Sequence, residues 1–293
     1  MGAEMDKCTL CPRECGINRQ DRLGVCGVSD KIKIAKVMLH HWEEPSISGK
    51  NGSGAIFFSG CPLKCVYCQN NDISHGAHGK EISTDELSSI MLDLQERGAH
   101  NINLVTPTHY STQIIEALSM VKDKLKIPVV YNTGGYEKPE VIKKIANHVS
   151  VFLVDIKYFS SELSTKYSKC KDYYEYAKAS FKEMLQAKPN CVFDENGLMT
   201  SGVILRHLVL PSCRRDSISI LEDIAKSFDV SSFKLSLMSQ YTPDFCPDDF
   251  PELKRRLTSF EYDSVVDYAL SLGYDGYIQD KSSATADYTP NFK

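Results

Sequence analysis

Short apolar runs alternate with longer amphipathic segments along most of the chain. The run from Ala55 to Phe58 predicts a short buried strand, and the later runs predict strands of a parallel sheet covered on both faces. The later strands are predicted at 101–105, 127–131, 149–156, 203–210 and 233–238. Apolar residues at helical spacing predict the helices between and after them, at 84–97, 111–124, 138–147, 160–188, 216–228 and 260–272.

The first of these helices has clear end signals. Ser83 is a predicted N-cap with Glu86 at the third helical position, and Gly98 ends the helix. The stretch 160–188 is long enough to form two helices, and the residues from 273 onward are turn-rich, so we expect a frayed tail. An alternating segment from Ile32 predicts a leading strand.

Six consecutive strand–helix units predict an α/β fold in which a parallel sheet curls into a partial (β/α)6 barrel. We expect residues 1–50 to form a small cysteine-rich N-terminal module with the leading strand, and residues 51–293 to form the barrel with a C-terminal extension. Ligands of parallel barrels gather where the strands end, so we expect the chemistry at those strand ends.

A loop directly after the first barrel strand carries Cys61, Cys65 and Cys68 with the spacing C-x3-C-x2-C. Three thiolates on one loop can hold three irons of a 4Fe–4S cluster and leave the fourth iron open. A zinc knuckle and an ordinary electron-transfer cluster are the alternatives that the spacing leaves open.

A second cysteine group precedes it. Cys8, Cys11, Cys15 and Cys26 have the spacing C-x2-C-x3-C-x10-C, which suits a tetrahedral zinc site or a second, fully coordinated cluster. The total of 11 cysteines is odd and clustered, so we expect metal binding in a reducing compartment rather than a disulfide framework. His40, His41, Glu43 and Glu44 could also bind metal, but we expect solvated or hydrogen-bonded side chains in a loop.

Composition narrows the choice of partners. The net charge of −4 gives no electrostatic reason to expect nucleic acid or an anionic membrane as a partner. The N-terminus has no apolar signal-peptide core, and the longest apolar runs are too short to cross a bilayer. We therefore expect a cytoplasmic protein.

The string GAIFFSGCPLKCVYCQNN resembles the cluster loop of the radical S-adenosylmethionine (SAM) superfamily. The strings CTLCPRECGINR and HHWEEPSISGK resemble a branch of homologues of pyruvate formate-lyase activating enzyme with an N-terminal four-cysteine module. The resemblance implies a partial barrel, a 4Fe–4S cluster on Cys61, Cys65 and Cys68, SAM on the open iron, and a flavodoxin- or ferredoxin-type electron donor.

The resemblance also assigns SAM-contacting positions at the strand ends. The family's Gly-Gly-Glu-Pro motif is replaced by Thr106, Thr108 and a possible ligand at His109, so threonine hydroxyls or backbone carbonyls would accept the hydrogen bonds of the SAM amino group. The family's Asp-x-Lys motif is matched, and its acid helps to bind a monovalent cation. The complete set of implied cofactor-binding residues is Tyr67, Thr106, Thr108, Asn132, Thr133, Asp155, Lys157, Arg206 and Gln240.

The implied activity is reductive cleavage of SAM to a 5′-deoxyadenosyl radical that abstracts hydrogen, with a protein or peptide substrate as in glycyl-radical activases. Gly273-Tyr274 and Gly276-Tyr277 lack the arginine of a glycyl-radical acceptor, so this chain would be the activator. The alternatives are a radical SAM enzyme acting on a small molecule or another macromolecule, and a non-catalytic iron–sulfur or zinc protein.

Overall fold

The computed structural model describes residues 7–76, 78–279 and 292, and its centre is one mixed β-sheet. The strands of this part of the chain are β1 Ile32–His40, β2 Ser53–Phe58, β3 Lys80–Ile82, β4 Ile102–Val105, β5 Val129–Thr133, β6 Val151–Asp155, β7 Val192–Phe193, β8 Met199–Leu208, β9 Lys234–Met238 and β10 Gly276–Ile278. Their order across the sheet is β10-β9-β8-β6-β5-β4-β2-β1-β3, and β7 pairs with β8. Within the described residues the sheet is not closed, because β10 and β3 are its two edges.

Helices connect and cover the strands. They are α1 Pro45–Ser48, α2 Asn71–Ser74, α3 Thr84–Glu96, α4 Ser111–Val121, α5 Pro139–Ile145, α6 Ser161–Ser168, α7 Tyr173–Ala187, α8 Arg214–Ser227 and α9 Ser259–Ser271. The predicted capping box is confirmed, since Ser83 and Glu86 exchange both hydrogen bonds at the start of α3. The stretch predicted as one or two helices is two, separated at Lys169, whose φ of 50° lies in the left-handed region.

The six predicted parallel strands are confirmed as β2, β4, β5, β6, β8 and β9. The expectation of a frayed tail after 273 is wrong for its first residues, because β10 pairs in parallel with β9. Gly276 makes this possible: its φ is 152°, and a β-carbon there would collide with the backbone of Leu235. The rest of the tail, 280–291 and 293, lies outside the described residues.

The segment that follows β1 fills the interior of the partial barrel. Ile47 of α1 is fully buried and packs among Val130, Leu153 and Ile204 on three barrel strands. Asn101 donates a hydrogen bond to the Ile47 carbonyl at 2.7 Å. Part of the segment predicted to lie in a loop therefore enters the barrel, and its Glu43 reaches Arg206 near the strand ends.

Candidate functional site

The three cysteines of the loop after β2 face one cavity of about 230 Å³. The turn between them is tight: Lys64 has a φ of 50°, and the Cys68 N–H donates to the Cys65 carbonyl at 3.1 Å. The Leu63 N–H lies 3.4 Å from the Cys61 sulfur. Burial raises the pKa of the Cys61 thiol to about 11 and that of Cys68 to about 12, so these thiols are neutral until a metal displaces their protons.

The donor set fits an iron–sulfur cluster with one open iron. All three thiols are free, and no fourth cysteine from the described residues lines the cavity. Soft thiolates of this kind hold the irons of such clusters. Ser168 donates a hydrogen bond to the Cys65 sulfur at 3.0 Å, the kind of contact that supports a metal-bound thiolate.

Most of the predicted cofactor-binding residues meet the cysteines at the same cavity. The predicted residues that line it are Tyr67, Thr106, Asn132, Thr133, Asp155, Lys157, Arg206 and Gln240. They come from the cysteine loop and from the ends of β4, β5, β6, β8 and β9. Parallel strands bring their carboxyl ends to one edge of the sheet, which is why residues far apart in sequence converge here.

Thr108 is the exception among the predicted residues. It lies in a short helical turn, is buried, and donates a hydrogen bond of 2.6 Å to Glu137 instead of lining the cavity. Thr133 donates to the same carboxylate oxygen at 2.6 Å. His109 also points away: its Nε2 lies 2.8 Å from the Ser59 carbonyl, so it braces the strand before the cysteine loop.

Arg206 is the centre of a buried network of charged and amide groups. Its guanidinium donates to Asp155 at 2.8 Å, to Glu43 at 2.9 Å and to the Asn132 carbonyl oxygen at 2.7 Å. Lys157 lies 2.6 Å from the other Asp155 oxygen. Three of the five guanidinium N–H groups are thus hydrogen-bonded within the protein, and the side chain also lines the cavity.

The charges of this network are balanced by short contacts rather than by water. Burial would raise the pKa of Asp155, but Arg206 and Lys157 outweigh that effect and hold it below its ordinary value. Burial raises the pKa of Glu44, which lies 4.0 Å from Arg206. The guanidinium also joins Asp155 to Asn132, so a protein cation already bonds the acid that the resemblance places near a bound monovalent cation.

Sequence reasoning missed Glu43 and His40 as residues of the cavity. Glu43 accepts hydrogen bonds from Asn103 at 3.1 Å and from Asn132 at 3.2 Å. Of the two expected states, solvated or hydrogen-bonded, Glu43 takes the second, since its side chain is hydrogen-bonded and only 10% exposed. The sequence showed two acids after a predicted strand, but it did not show that this segment enters the barrel.

Tyrosines close the cavity beside the cysteine loop. Tyr67 packs edge-on against Tyr158, Tyr167 and Tyr241, with ring centroids 6.2–6.4 Å apart. Tyr173 of α7 donates to the Gly134 and Asp155 carbonyls, each at 2.9 Å, and so joins the ends of β5 and β6. None of these contacts follows from local sequence, because each joins separate segments.

The N-terminal cysteines lie directly against this loop. Cys8, Cys11 and Cys26 are buried, and the Cys26 carbonyl accepts a hydrogen bond from the Cys61 N–H at 3.1 Å. Arg13 donates to the carbonyls of Pro62 at 2.8 Å and Ser168 at 2.8 Å. In the described part of the chain, no group of three or more histidine, cysteine or acidic side chains is arranged to hold a single metal ion.

Among the described residues, none of the helices combines the length and the apolar character needed to cross a bilayer. The cytoplasmic location stays a prediction.

Comparisons with known proteins agree with this geometry. The family model described as the radical SAM superfamily matches residues 55–198. An uncharacterized protein of Methanocaldococcus jannaschii is 31% identical over 284 residues, covering 92% of this chain and 77% of that protein. The pyruvate formate-lyase-activating enzyme of Clostridium pasteurianum is 27% identical over 125 residues, covering 40% of this chain and 50% of that enzyme.

Solved structures show the same fold. Streptococcus suis SuiB bound to the precursor peptide SuiA matches with a TM-score of 0.50 at 13% identity, covering 75% of this chain and 46% of SuiB. SuiB bound to S-adenosylmethionine also matches with a TM-score of 0.50 at 13% identity, covering 75% of this chain and 48% of that chain. This chain thus spans about half of the SuiB chain. The family match falls on the cysteine loop and the strands behind it, and the chain belongs to the radical SAM superfamily.

Proposed function

We propose that this chain cleaves SAM reductively and abstracts a hydrogen atom from a peptide or protein substrate, in the manner of a glycyl-radical-enzyme activase. Membership of the superfamily implies a 4Fe–4S cluster, SAM and an oxidoreductase type of reaction. When bound, these cofactors supply the cleavage that yields the 5′-deoxyadenosyl radical. The observation that carries the proposal is the convergence of Cys61, Cys65 and Cys68 with the polar strand ends on one cavity.

The protein's own residues hold and orient the cofactors in this proposal. The three thiolates hold the cluster, and the guanidinium of Arg206, which lines the cavity, contacts the carboxylate of SAM. Asp155 fixes the ammonium of Lys157 in the cavity wall at 2.6 Å. Thr106, Thr133 and Gln240 supply hydroxyl, backbone and amide groups to the polar part of SAM. The tyrosines around Tyr67 exclude water from the cluster side.

A peptide or protein substrate is favoured over a small molecule by two comparisons and one structural feature. The Clostridium pasteurianum relative is named as the activating enzyme of pyruvate formate-lyase, and SuiB was solved with a precursor peptide. The sheet is open between β3 and β10 in the described residues, which leaves room for a large substrate at the barrel side.

The N-terminal cysteines form a second metal-binding module in this proposal, with zinc or a second cluster as its content. Burial, with added repulsion from Cys26 and Cys8, raises the pKa of Cys11 to about 12, so the module needs a metal to keep its thiolates charged. A flavodoxin- or ferredoxin-type protein would supply the electron. The monovalent cation stays a prediction, and no role of the residues above depends on it.

Anaerobic reconstitution tests the proposal. Wild-type protein loaded with iron and sulfide is given SAM and dithionite, iron and zinc are counted per chain, and 5′-deoxyadenosine is measured by mass spectrometry. We expect 5′-deoxyadenosine from the wild type and none from Cys61→Ala, Cys65→Ala or Cys68→Ala. Cys191→Ala is the matched control, since Cys191 lies outside the cavity and should leave the yield unchanged.

Two results would contradict the proposal. One is 5′-deoxyadenosine at the wild-type rate from any of the three cysteine variants. The other is a reduced cluster whose EPR signal does not respond to SAM, which would support the non-catalytic iron–sulfur protein instead.

A further inference from the structure

A buried chain of three hydroxyl groups ends on one of the cluster cysteines. The Ser168 oxygen lies 3.0 Å from the Cys65 sulfur, the Tyr158 oxygen lies 2.8 Å from the Ser168 oxygen, and the Tyr67 oxygen lies 2.8 Å from that of Tyr158. Ser168 and Tyr158 are each 1% exposed and Tyr67 is 7% exposed. Water therefore has little access to compete for any of these bonds.

Proton counting sets the direction of the chain when Cys65 is a metal-bound thiolate. A thiolate has no proton and only accepts, so Ser168 must donate its single proton to the sulfur. Here the Tyr158 hydroxyl donates to Tyr67. With the Ser168 proton committed to the sulfur, Tyr158 would turn its single proton to Ser168, and Tyr67 would then donate to Tyr158. Each donor is polarised by the one before it, so the bond that reaches the sulfur is strengthened by the others.

The hydroxyl of Ser168 is held in place from two sides. Ser168 is the last residue of α6, and the Val66 N–H of the cysteine loop donates to the neighbouring Tyr167 carbonyl at 2.9 Å. Arg13 of the N-terminal module donates to the Ser168 carbonyl itself at 2.8 Å. The donor is thus fixed by backbone contacts that do not depend on its own side chain.

We propose that Ser168, supported by Tyr158 and Tyr67, is a positioning residue that raises the reduction potential of the cluster through its hydrogen bond to Cys65. The inference rests on the proposed cluster site. Reduction of a 4Fe–4S cluster from the 2+ to the 1+ state adds one electron, supplied by an external low-potential donor, and places more negative charge on the sulfurs. A donor at the Cys65 sulfur stabilises the reduced state more than the oxidised state.

The test is an anaerobic redox titration of the reconstituted full chain, followed by EPR without SAM. The cluster signal is assigned by its loss in Cys65→Ala. At a fixed applied potential we expect the ratio of reduced to oxidised cluster to fall on the order of tenfold in Ser168→Ala, which is about 59 mV for a one-electron couple. Tyr158→Phe keeps the Ser168 hydroxyl and should lower the ratio of reduced to oxidised cluster by a smaller factor.

Ser164→Ala is the matched control. Ser164 lies one turn earlier in the same helix, is 2% exposed, and donates to the Ser161 carbonyl at 3.2 Å rather than to a cysteine. We expect the reduction potential of the cluster in Ser164→Ala to equal that in the wild type. Equal potentials for Ser168→Ala and the wild type at equal iron content, or an equal shift in Ser164→Ala, would overturn the inference. If Ser168→Ala loads too little iron, Tyr158→Phe decides, and an unshifted potential there overturns it.

The outcome is separable from that of the proposed function. A wild type that holds a cluster but yields no 5′-deoxyadenosine refutes the SAM chemistry while the potentials still test Ser168. A wild type that yields 5′-deoxyadenosine with an unshifted Ser168→Ala refutes the role of Ser168 alone. A chain without any cluster on Cys61, Cys65 and Cys68 refutes both.

Discussion

Arg206→Met removes the single guanidinium that balances the buried acids of the cavity and keeps a side chain of similar length. Asp155, Glu43 and Arg206 have side chains that are 15%, 10% and 13% exposed, so water cannot replace the lost contacts. Removing one partner of a buried ion pair costs about 3–5 kcal/mol, because the other charge is left unpaired. Lys157 still faces Asp155, but Glu43 and Glu44 lose the cation that lies 2.9 Å and 4.0 Å from them. We therefore expect the free energy of unfolding to fall by about 3–5 kcal/mol at pH 8.

The loss of stability in Arg206→Met should depend on pH in a definite direction. The pKa of Asp155 lies below its ordinary value in the fold, so its pairing stabilises the protein above that ordinary value, and this contribution is lost as the pH falls from there through the lowered pKa. Without Arg206, the pKa values of the buried acids rise, and these groups take up protons as the pH falls from 8 to 5. The difference in stability between the variant and the wild type should thus be smaller at pH 5.

Equilibrium unfolding in guanidinium chloride measures both the loss of stability and its dependence on pH. Trp42 is the only tryptophan of the chain and lines the cavity, so its fluorescence reports directly on this region. Adding Glu43→Gln to Arg206→Met should restore part of the loss, because one unpaired charge is removed. Lys226→Met is the surface control, since the Lys226–Glu222 pair is 70% and 44% exposed and should leave stability unchanged. A loss below about 1 kcal/mol, or an equal loss at pH 5 and pH 8, would refute the reasoning.

Three further outcomes follow from other parts of the structure. Burial raises the pKa of Glu137 to about 7, so the wild type should lose about 3 kcal/mol of stability as the pH rises from 4.5 to 7.5. Glu137→Gln should lack that dependence in unfolding titrations, and parallel curves of stability against pH for the two proteins would contradict this. Gly135→Ala should lower the melting temperature by several degrees, because Gly135 has a φ of 81° and a β-carbon would collide with the Asp155 carbonyl; an unchanged melting temperature would count against the strain. Cys11→Ala should keep the SAM-responsive cluster but lower stability or activity, and loss of all iron would argue against two separate metal sites.

Local signals in the sequence were sufficient for much of the architecture. The capping box at Ser83 and Glu86 involves four consecutive residues, and the apolar runs that mark the parallel strands need no tertiary information. The resemblance put both Asp155 and Arg206 among the cofactor-binding residues, and in the structure they are directly paired in register, Asp155 as the last residue of β6 and Arg206 within β8. The predicted third strand was two residues early, which put Asn132 and Thr133 beyond the strand, whereas they are its last residues.

Other features depend on contacts between distant segments, and sequence periodicity carries no information on them. Glu43 meets Arg206 across 163 residues because α1 enters the barrel, and the serine that faces Cys65 lies 103 residues away from it. Thr108 failed as a predicted ligand for a different reason. The short helical turn at 108–110 rotates its hydroxyl onto Glu137, and a buried carboxylate needs such donors.

Arg13 joins the segment before β1 to the loop that carries Cys61, Cys65 and Cys68. Its guanidinium donates to the carbonyls of Pro62, Ser168 and Lys169, and so links the described residues 7–30 to the loop that follows β2 and to the end of α6. A chain without these residues would leave three carbonyls and the Cys61 amide without their partners. The leading segment therefore supports the backbone geometry of the Cys61–Cys68 loop, whatever its own cysteines hold.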